Sequence, residues 1–170
     1  MASLAAFNLN QWIEEHRHLL KPPVGNKLVW EDTDFIIMIV GGPNQRKDYH
    51  VNPTEEFFFQ LQGDMALKVI DDGEFKDIPI AEGGVLLLPP HVPHSPQRFD
   101  NTVGLVVERQ RPKGHNDQVN FYCDNCQRKV HGVSFYCTNL GTQLKPVLED
   151  FWASDDLRTC DHCSTMIARP

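Results

Sequence analysis

His50, Glu56 and His94 are two imidazoles and a carboxylate, a set that can hold a divalent metal on one face and leave the opposite face open. It suits a non-haem Fe(II) centre, which must take up both a substrate and dioxygen. The three sit in two stretches, Asp48-Tyr-His-Val-Asn-Pro-Thr-Glu-Glu56 and Gly83-Gly-Val-Leu-Leu-Leu-Pro-Pro-His-Val-Pro-His94. Asn52-Pro53 turns the chain between His50 and Glu56, so both side chains can enter one cavity. Glu55 and Glu56 are neighbours, and strand neighbours face opposite sides, so only one faces the metal. The bland alternative is a small barrel with scattered histidines. His16, His18, His91 and His115 are read in that way, as surface or satisfied side chains.

Cysteines form the second constellation. Cys123-Asp-Asn-Cys126 and Cys160-Asp-His-Cys163 are two knuckles with 33 residues between them. Four thiolates in a tetrahedron suit Zn or a single Fe in a rubredoxin-like site. The separation exceeds the usual spacing, which a helix and a strand inside the loop accommodate. Such a site is closed and therefore structural. Disulfides compete with this reading, and a reducing cytoplasmic compartment disfavours them. Cys137, the fifth cysteine, reads as a small buried apolar residue.

The elements that must position these groups are mostly strands. Short apolar or alternating runs recur at Leu28–Trp30, Phe35–Val40, Glu56–Leu61, Met65–Ile70, Phe75–Ile80, Val85–Leu88 and Val103–Glu108. Turn signals separate them: Gly41-Gly-Pro-Asn44, Asn52-Pro53, Gln62-Gly63-Asp64, Asp71-Asp-Gly73, Glu82-Gly-Gly84 and Asp100-Asn101. Many short strands with no helices between them predict a mainly β, antiparallel double-sheet jelly roll of the cupin type. Residues 8–20 read as a helix capped by Asn8, with Leu9, Trp12, Ile13, His16 and Leu20 on one stripe and Pro22-Pro23 as its end. The polar stretch 111–120 reads as a linker, and Leu144–Trp152 as a helix. The expected division is 1–112, a catalytic barrel, and 113–170, a linker with a metal-binding extension.

Composition narrows the functional classes. The 16 Lys and Arg against 23 Asp and Glu give a net charge of −7, with no basic stripe for nucleic acid. No apolar stretch approaches the roughly 20 residues of a membrane span, and the first residues lack the basic start and apolar core of a secretory signal. A cytoplasmic protein is expected.

The stretches around His50, Glu56 and His94 match the spacing of the two cupin motifs, which select Glu56 as the ligand. Asp48 stands where the first motif usually has a histidine, so three ligands remain. Asp48 shares strand parity with His50 and is expected as an outer ligand or a group supporting one. More specifically, the chain resembles 3-hydroxyanthranilate 3,4-dioxygenases. The resemblance rests on Lys21-Pro-Pro-Val-Gly-Asn26, Val40-Gly-Gly-Pro-Asn44, Asp48-Tyr-His50, Glu55-Glu-Phe-Phe58, Leu88-Pro-Pro-His-Val-Pro-His-Ser-Pro-Gln-Arg98 and Val107-Glu-Arg-Gln-Arg-Pro112. The paired Cys-x-x-Cys motifs look like the family's short bacterial and fungal form.

That resemblance implies opening of the aromatic ring of 3-hydroxyanthranilate with both atoms of O2 incorporated. The product, 2-amino-3-carboxymuconate semialdehyde, cyclises to quinolinate, an NAD precursor of the kynurenine pathway. It implies Fe(II) on His50, Glu56 and His94, and Fe or Zn on Cys123, Cys126, Cys160 and Cys163. It gives Arg98 the substrate carboxylate, places Arg46 near that carboxylate and the oxygen, and makes Glu108 the acidic partner of the amino or hydroxyl group. Asn26 and Gln97 are weaker candidates, and Phe58 and Pro96 are candidate apolar walls. A homodimer is expected through resemblance alone. Two alternatives stand beside this reading: a cupin dioxygenase or isomerase for another phenol, and a non-catalytic ligand or metal sensor.

Overall fold

A computed structural model of the protein describes residues 4–21, 25–138 and 140–170. Two antiparallel sheets carry the fold. The first has the order β1-β2-β9-β4-β7, built from Asn26–Leu28, Phe35–Gly41, Val103–Arg109, Glu56–Gln62 and Val85–Leu88. The second has the order β11-β10-β3-β8-β5-β6, built from Lys129–Phe135, Asp117–Tyr122, Asp48–Val51, His94–Arg98, Met65–Asp71 and Glu74–Ile80. Sequence neighbours are split between the sheets, as in a jelly roll. Inward side chains of both sheets meet in one core: Met38, Phe58, Leu88 and Val106 from the first, and Met65, Leu67, Val69 and Ile80 from the second.

The turn signals act as their chemistry requires. Asp72 and Gly73 both take positive φ, 50° and 81°, and close a two-residue hairpin with Asp71 opposite Glu74. Helix α1, Leu9–His16, is capped by Asn8, whose side chain accepts from the Gln11 amide, and a tighter turn over Arg17–Leu19 follows. The expected stop at Pro22-Pro23 lies outside the described residues. Ile13 and Leu20 pack with Ile39 and Val103, so α1 covers the outer face of the first sheet.

The sequence reading gave no range to β3, β8 or β11 and misjudged the region of β10. Strands β3 and β8 are rich in His, Asp, Pro and Gln and carry no apolar run, yet they lie in the middle of the second sheet. The stretch 111–120 is linker only as far as residue 116. Asp117–Tyr122 form β10, with Val119 opposite His50 and Phe121 opposite Asp48. Inward alternation of Asp117, Val119 and Phe121 outweighs the polar residues between them. The second sheet therefore runs without a break from the barrel into the expected extension. There Val119, Phe121, Phe151 and Ile167 form a core of their own, covered by α2, Leu140–Ala153.

Candidate metal and substrate site

Register brings the candidate ligands together. His50 on β3 pairs directly with His94 on β8, and Glu56 on β4 pairs directly with Glu108 on β9. Directly opposed residues point to the same side of a sheet. Each sheet thus presents one such pair to the barrel interior. One ligand atom from each of His50, Glu56 and His94 lies within 4.8 Å of the other two, and all three residues are buried.

Neighbouring groups fix each ligand. Nδ1 of His94 lies 2.9 Å from the Val92 carbonyl and donates to it, which leaves the Nε2 lone pair free for a metal. His94 Nε2 is 3.1 Å from Glu56 Oε2. Asn52 donates to the same Glu56 oxygen at 3.1 Å. Nε2 of His50 lies 2.7 Å from Asp117 Oδ2, so Nδ1 is the nitrogen left to face a metal.

Burial and charge set the protonation pattern. Burial pushes the Glu56 carboxyl up, but His94 and His50 beside it hold it below its ordinary value. Burial lowers His50, with Asp117 opposing. Burial also acts to lower His94, but Glu56 outweighs it and leaves the ring above its ordinary value. Glu108 is pushed up to about 7, first by burial and then by Glu56 beside it, against the pull of Arg111.

Two arginines stand near the ligands. Arg98 is 2% exposed; Nη1 donates to Gln60 Oε1 at 3.0 Å, while Nε has no partner among the described residues. Burial lowers its guanidinium to about 10, Glu56 opposing. Gly104 makes room for this arrangement, since a Cβ there would lie 2.5 Å from Arg98 Nη1 and 2.8 Å from Gln60 Oε1. Arg46 turns its fork onto Asp48, donating from Nε at 3.1 Å and from Nη2. Asp48 thus neutralises Arg46 and stands outside the three-residue ligand group.

The weaker candidates separate. Asn26 borders two cavities: one of about 490 Å³ that also includes Glu108, Met38 and Trp30, and one of about 410 Å³ that includes Arg46. Gln97 brackets the Arg46 backbone, accepting from its amide at 3.3 Å and donating to its carbonyl at 3.0 Å. Phe58 is buried with its ring 6.4 Å from that of His94. Pro96 shares strand parity with His94 and Arg98 and is half-buried.

The sequence reading gave no site role to Arg111, Asp117 or Gln60, and read Asn52 only as part of a turn. Arg111 lies three residues after Glu108 and donates to its Oε2 at 2.6 Å. Asp117 is fully buried and accepts from Arg111 Nε at 2.8 Å and Nη2 at 2.8 Å. An acidic residue opening an apolar alternation, Asp117 before Val119 and Phe121, was the available signal.

At the other end of β10 the four cysteines cluster. Cys123 Sγ lies 3.5 Å from Cys163 Sγ, and Cys126 Sγ lies 3.6 Å from both Cys160 Sγ and Cys163 Sγ. These separations are far beyond a disulfide bond of about 2.05 Å. They match the edge of a tetrahedron around a metal at about 2.3 Å from each sulfur. The two knuckles repeat one design. Cys123 N–H donates to Arg128 O and Cys160 N–H to Thr165 O, while Gln127 and Ser164, just after the second cysteine of each, take positive φ. Cys137 is buried apart from this group, its thiol pushed up to about 12 by burial and then by Asp117.

The family model described as 3-hydroxyanthranilic acid dioxygenase matches residues 1–152. A 3-hydroxyanthranilate 3,4-dioxygenase of Jannaschia sp. (strain CCS1) is 55% identical over 164 residues, covering 96% of this chain and 91% of the relative. One from Candida albicans is 56% identical over 159 residues, covering 94% and 92%. Among solved structures, a cupin-2 domain containing protein from Shewanella frigidimarina superposes with a TM-score of 0.50 at 17% identity, over 61% of this chain and 94% of that one, a likeness of fold alone. By the reach of that family model and the identity of its relatives, the chain belongs to the 3-hydroxyanthranilic acid dioxygenase family.

Proposed function

We propose that this protein opens the aromatic ring of 3-hydroxyanthranilate with O2 to give 2-amino-3-carboxymuconate semialdehyde, using Fe(II) held by His50, Glu56 and His94. The relatives' names supply the activity, and Arg98 is the observation that carries it to this site. A buried guanidinium paired only with a neutral amide is costly unless an anion joins it. Its free Nε/Nη2 edge is the two-donor side that matches a carboxylate. A phenol without a carboxylate would leave that edge unpaired.

A ferrous ion, when bound, supplies the one-electron chemistry that lets dioxygen react with the ring. The chain supplies the rest. Arg98 anchors the carboxylate, with Gln60 holding Nη1 and so fixing the tilt of the fork. Arg46, paired with Asp48, stands near the carboxylate and the oxygen, as the resemblance implies. Glu108 has Oε2 committed to Arg111, which leaves Oε1 to accept the phenol proton as the substrate chelates. In the metal-free protein that carboxyl is pushed up to about 7, by burial and then by Glu56, so burial favours its taking a proton. Phe58, Val106 and Met38 form an apolar wall that excludes water. The four cysteines hold a structural Zn or Fe. Their reduced state suits the cytoplasm, and a homodimer is the assembly we expect from the resemblance.

The test is anaerobic Fe(II) loading followed by air and 3-hydroxyanthranilate. One O2 consumed per substrate, with a new near-ultraviolet absorber, is expected. Reversible substrate binding without oxygen uptake would sink the proposal.

A further inference from the structure

Four buried side chains make a continuous bridge that the reaction described above does not use in full. Asp117 Oδ2 lies 2.7 Å from His50 Nε2. Its two oxygens also accept from Arg111, from Nε at 2.8 Å to Oδ1 and from Nη2 at 2.8 Å to Oδ2. The same Nη2 donates at 2.6 Å to Glu108 Oε2. Nη1 is tied to the Arg109 carbonyl at 2.9 Å, so the guanidinium cannot swing away from either carboxylate. Exposure falls from 5% at Arg111 through 3% at His50 and 2% at Glu108 to 0% at Asp117. Solvent therefore screens these contacts poorly, and each depends on the others.

The ends of this bridge are the two groups whose placement matters most: a metal-binding imidazole and the acceptor of the substrate proton. They belong to different sheets, β3 and β9, and β10 lies beside β3. Strand pairing alone does not fix a side-chain rotamer in one sheet against one in the other. A planar fork spanning two carboxylates does, because its donors keep a fixed angle. The carboxylate behind His50 also decides which ring nitrogen carries the proton.

We propose that Asp117 and Arg111 are positioning residues that lock the His50 ring and the Glu108 carboxylate into one rigid unit, so that the metal-binding nitrogen and the proton acceptor are set together. The inference rests on the roles given above to His50 and Glu108. A purely structural alternative is that the pair only fastens β10 and the following segment to the barrel, since Tyr136 also donates to the Arg111 carbonyl at 3.2 Å.

Asp117→Asn and Arg111→Lys separate the two, measured in the full-length chain with its cysteine-bound metal retained. Co(II) affinity is read anaerobically by chelator competition, which needs no substrate. Steady-state kcat and KM with 3-hydroxyanthranilate are read on Fe(II)-loaded enzyme. Asp117→Asn is expected to weaken Co(II) binding by about 10- to 100-fold, the usual effect of losing a carboxylate behind a metal-bound histidine. Arg111→Lys, which keeps the charge and loses the fork, is expected to weaken Co(II) binding too, by less than Asp117→Asn does. It should lower kcat by tenfold or more, with KM moving less than threefold. Folded variants with parental Co(II) affinity for Asp117→Asn, or parental kcat for Arg111→Lys, overturn the proposal, even if both melt earlier. The unmutated Zn(II)-loaded protein gives a check independent of variant folding. Its ¹H–¹⁵N imidazole spectrum should show a slowly exchanging proton on the His50 nitrogen that faces Asp117. A metal on that nitrogen, or a ring without that proton, overturns it as well. A parent that binds Co(II) but consumes no oxygen would count against the assigned reaction, while the Asp117→Asn comparison and the imidazole spectrum would still decide the bridge.

Discussion

Arg98 and Glu108 are opposite electrostatic problems placed in one barrel. Arg98 is a buried cation short of an anion; Glu108 is a buried anion beside a second carboxylate, Glu56. On the proposed reading, substrate binding relieves both, by bringing a carboxylate to one and a proton to the other. Arg98→Lys is expected to raise KM by about 10- to 100-fold, corresponding to one or two charge-assisted hydrogen bonds of about 1.5–3 kcal/mol, with a smaller change in kcat. Steady-state kinetics checks this, and an unchanged KM would remove Arg98 from the carboxylate site. Glu108→Gln is expected to lower kcat by about 10²- to 10⁴-fold, the range for loss of a positioned base. The same residue predicts a pH effect in the metal-free protein. Its folded value, about 7, lies above the ordinary 4.5, so the folded state holds the proton more tightly than the unfolded chain. Its contribution to stability is therefore fully present below about pH 4.5 and is lost as pH rises to about 7. Glu108→Gln should flatten that fall, by no more than about 3 kcal/mol, in denaturant titrations compared with the parent across this window. An identical pH dependence in the two proteins would refute the assignment.

At the level of elements, the strands legible in the sequence were those with an apolar inward face. Phe35–Gly41, Met65–Asp71 and Val103–Arg109 carry the core, and their alternation announced them. Asp48–Val51 and His94–Arg98 did not, because their inward positions hold ligands and an arginine instead of apolar groups. Where a strand serves chemistry, the pattern that betrays a strand is used up by the chemistry. The ligands themselves were legible through the resemblance and the donor types. Asp117 and Arg111 were not, since their meaning depends on β10 lying beside β3, a long-range pairing that no local period encodes. The same dependence on neighbouring strands applies to Gly104. It sits on β9 opposite Gln60 on β4, and the absent side chain is the space that the Arg98 guanidinium occupies. Gly104→Ala is expected to push the fork off its bearing on Gln60, raising KM by about tenfold while kcat changes less, because a misplaced carboxylate clamp costs binding and alignment together. A KM within twofold of the parent in a folded variant would show that the guanidinium has room to spare.

Across the whole molecule, the cysteine cluster and the His50–Glu56–His94 site are joined by one strand. β10 carries Asp117 at its start, behind His50, and runs through Tyr122 directly into Cys123. Phe121, near the end of the same strand, stacks on Phe151 of α2 with ring centroids 3.5 Å apart. A metal on the four thiolates would therefore anchor one end of a strand whose other end supports His50. The sulfurs lie 3.5–3.6 Å apart, too far for disulfides and close to the spacing of four thiolates around one cation. Since structural metal binding contributes to folding free energy, Cys160→Ser is expected to lower the cysteine-bound metal content and to lower Tm by several degrees. Because β10 belongs to the barrel's second sheet, the melt should remain a single transition, and Co(II) affinity at His50, Glu56 and His94 should fall with it. Metal analysis with calorimetry checks the first part, and chelator competition the second. A variant that kept full metal content and parental Tm would contradict the structural role of the cysteines. One that lost the thiolate metal, melted in two steps and kept parental Co(II) affinity would show instead that the extension is energetically separate from the barrel.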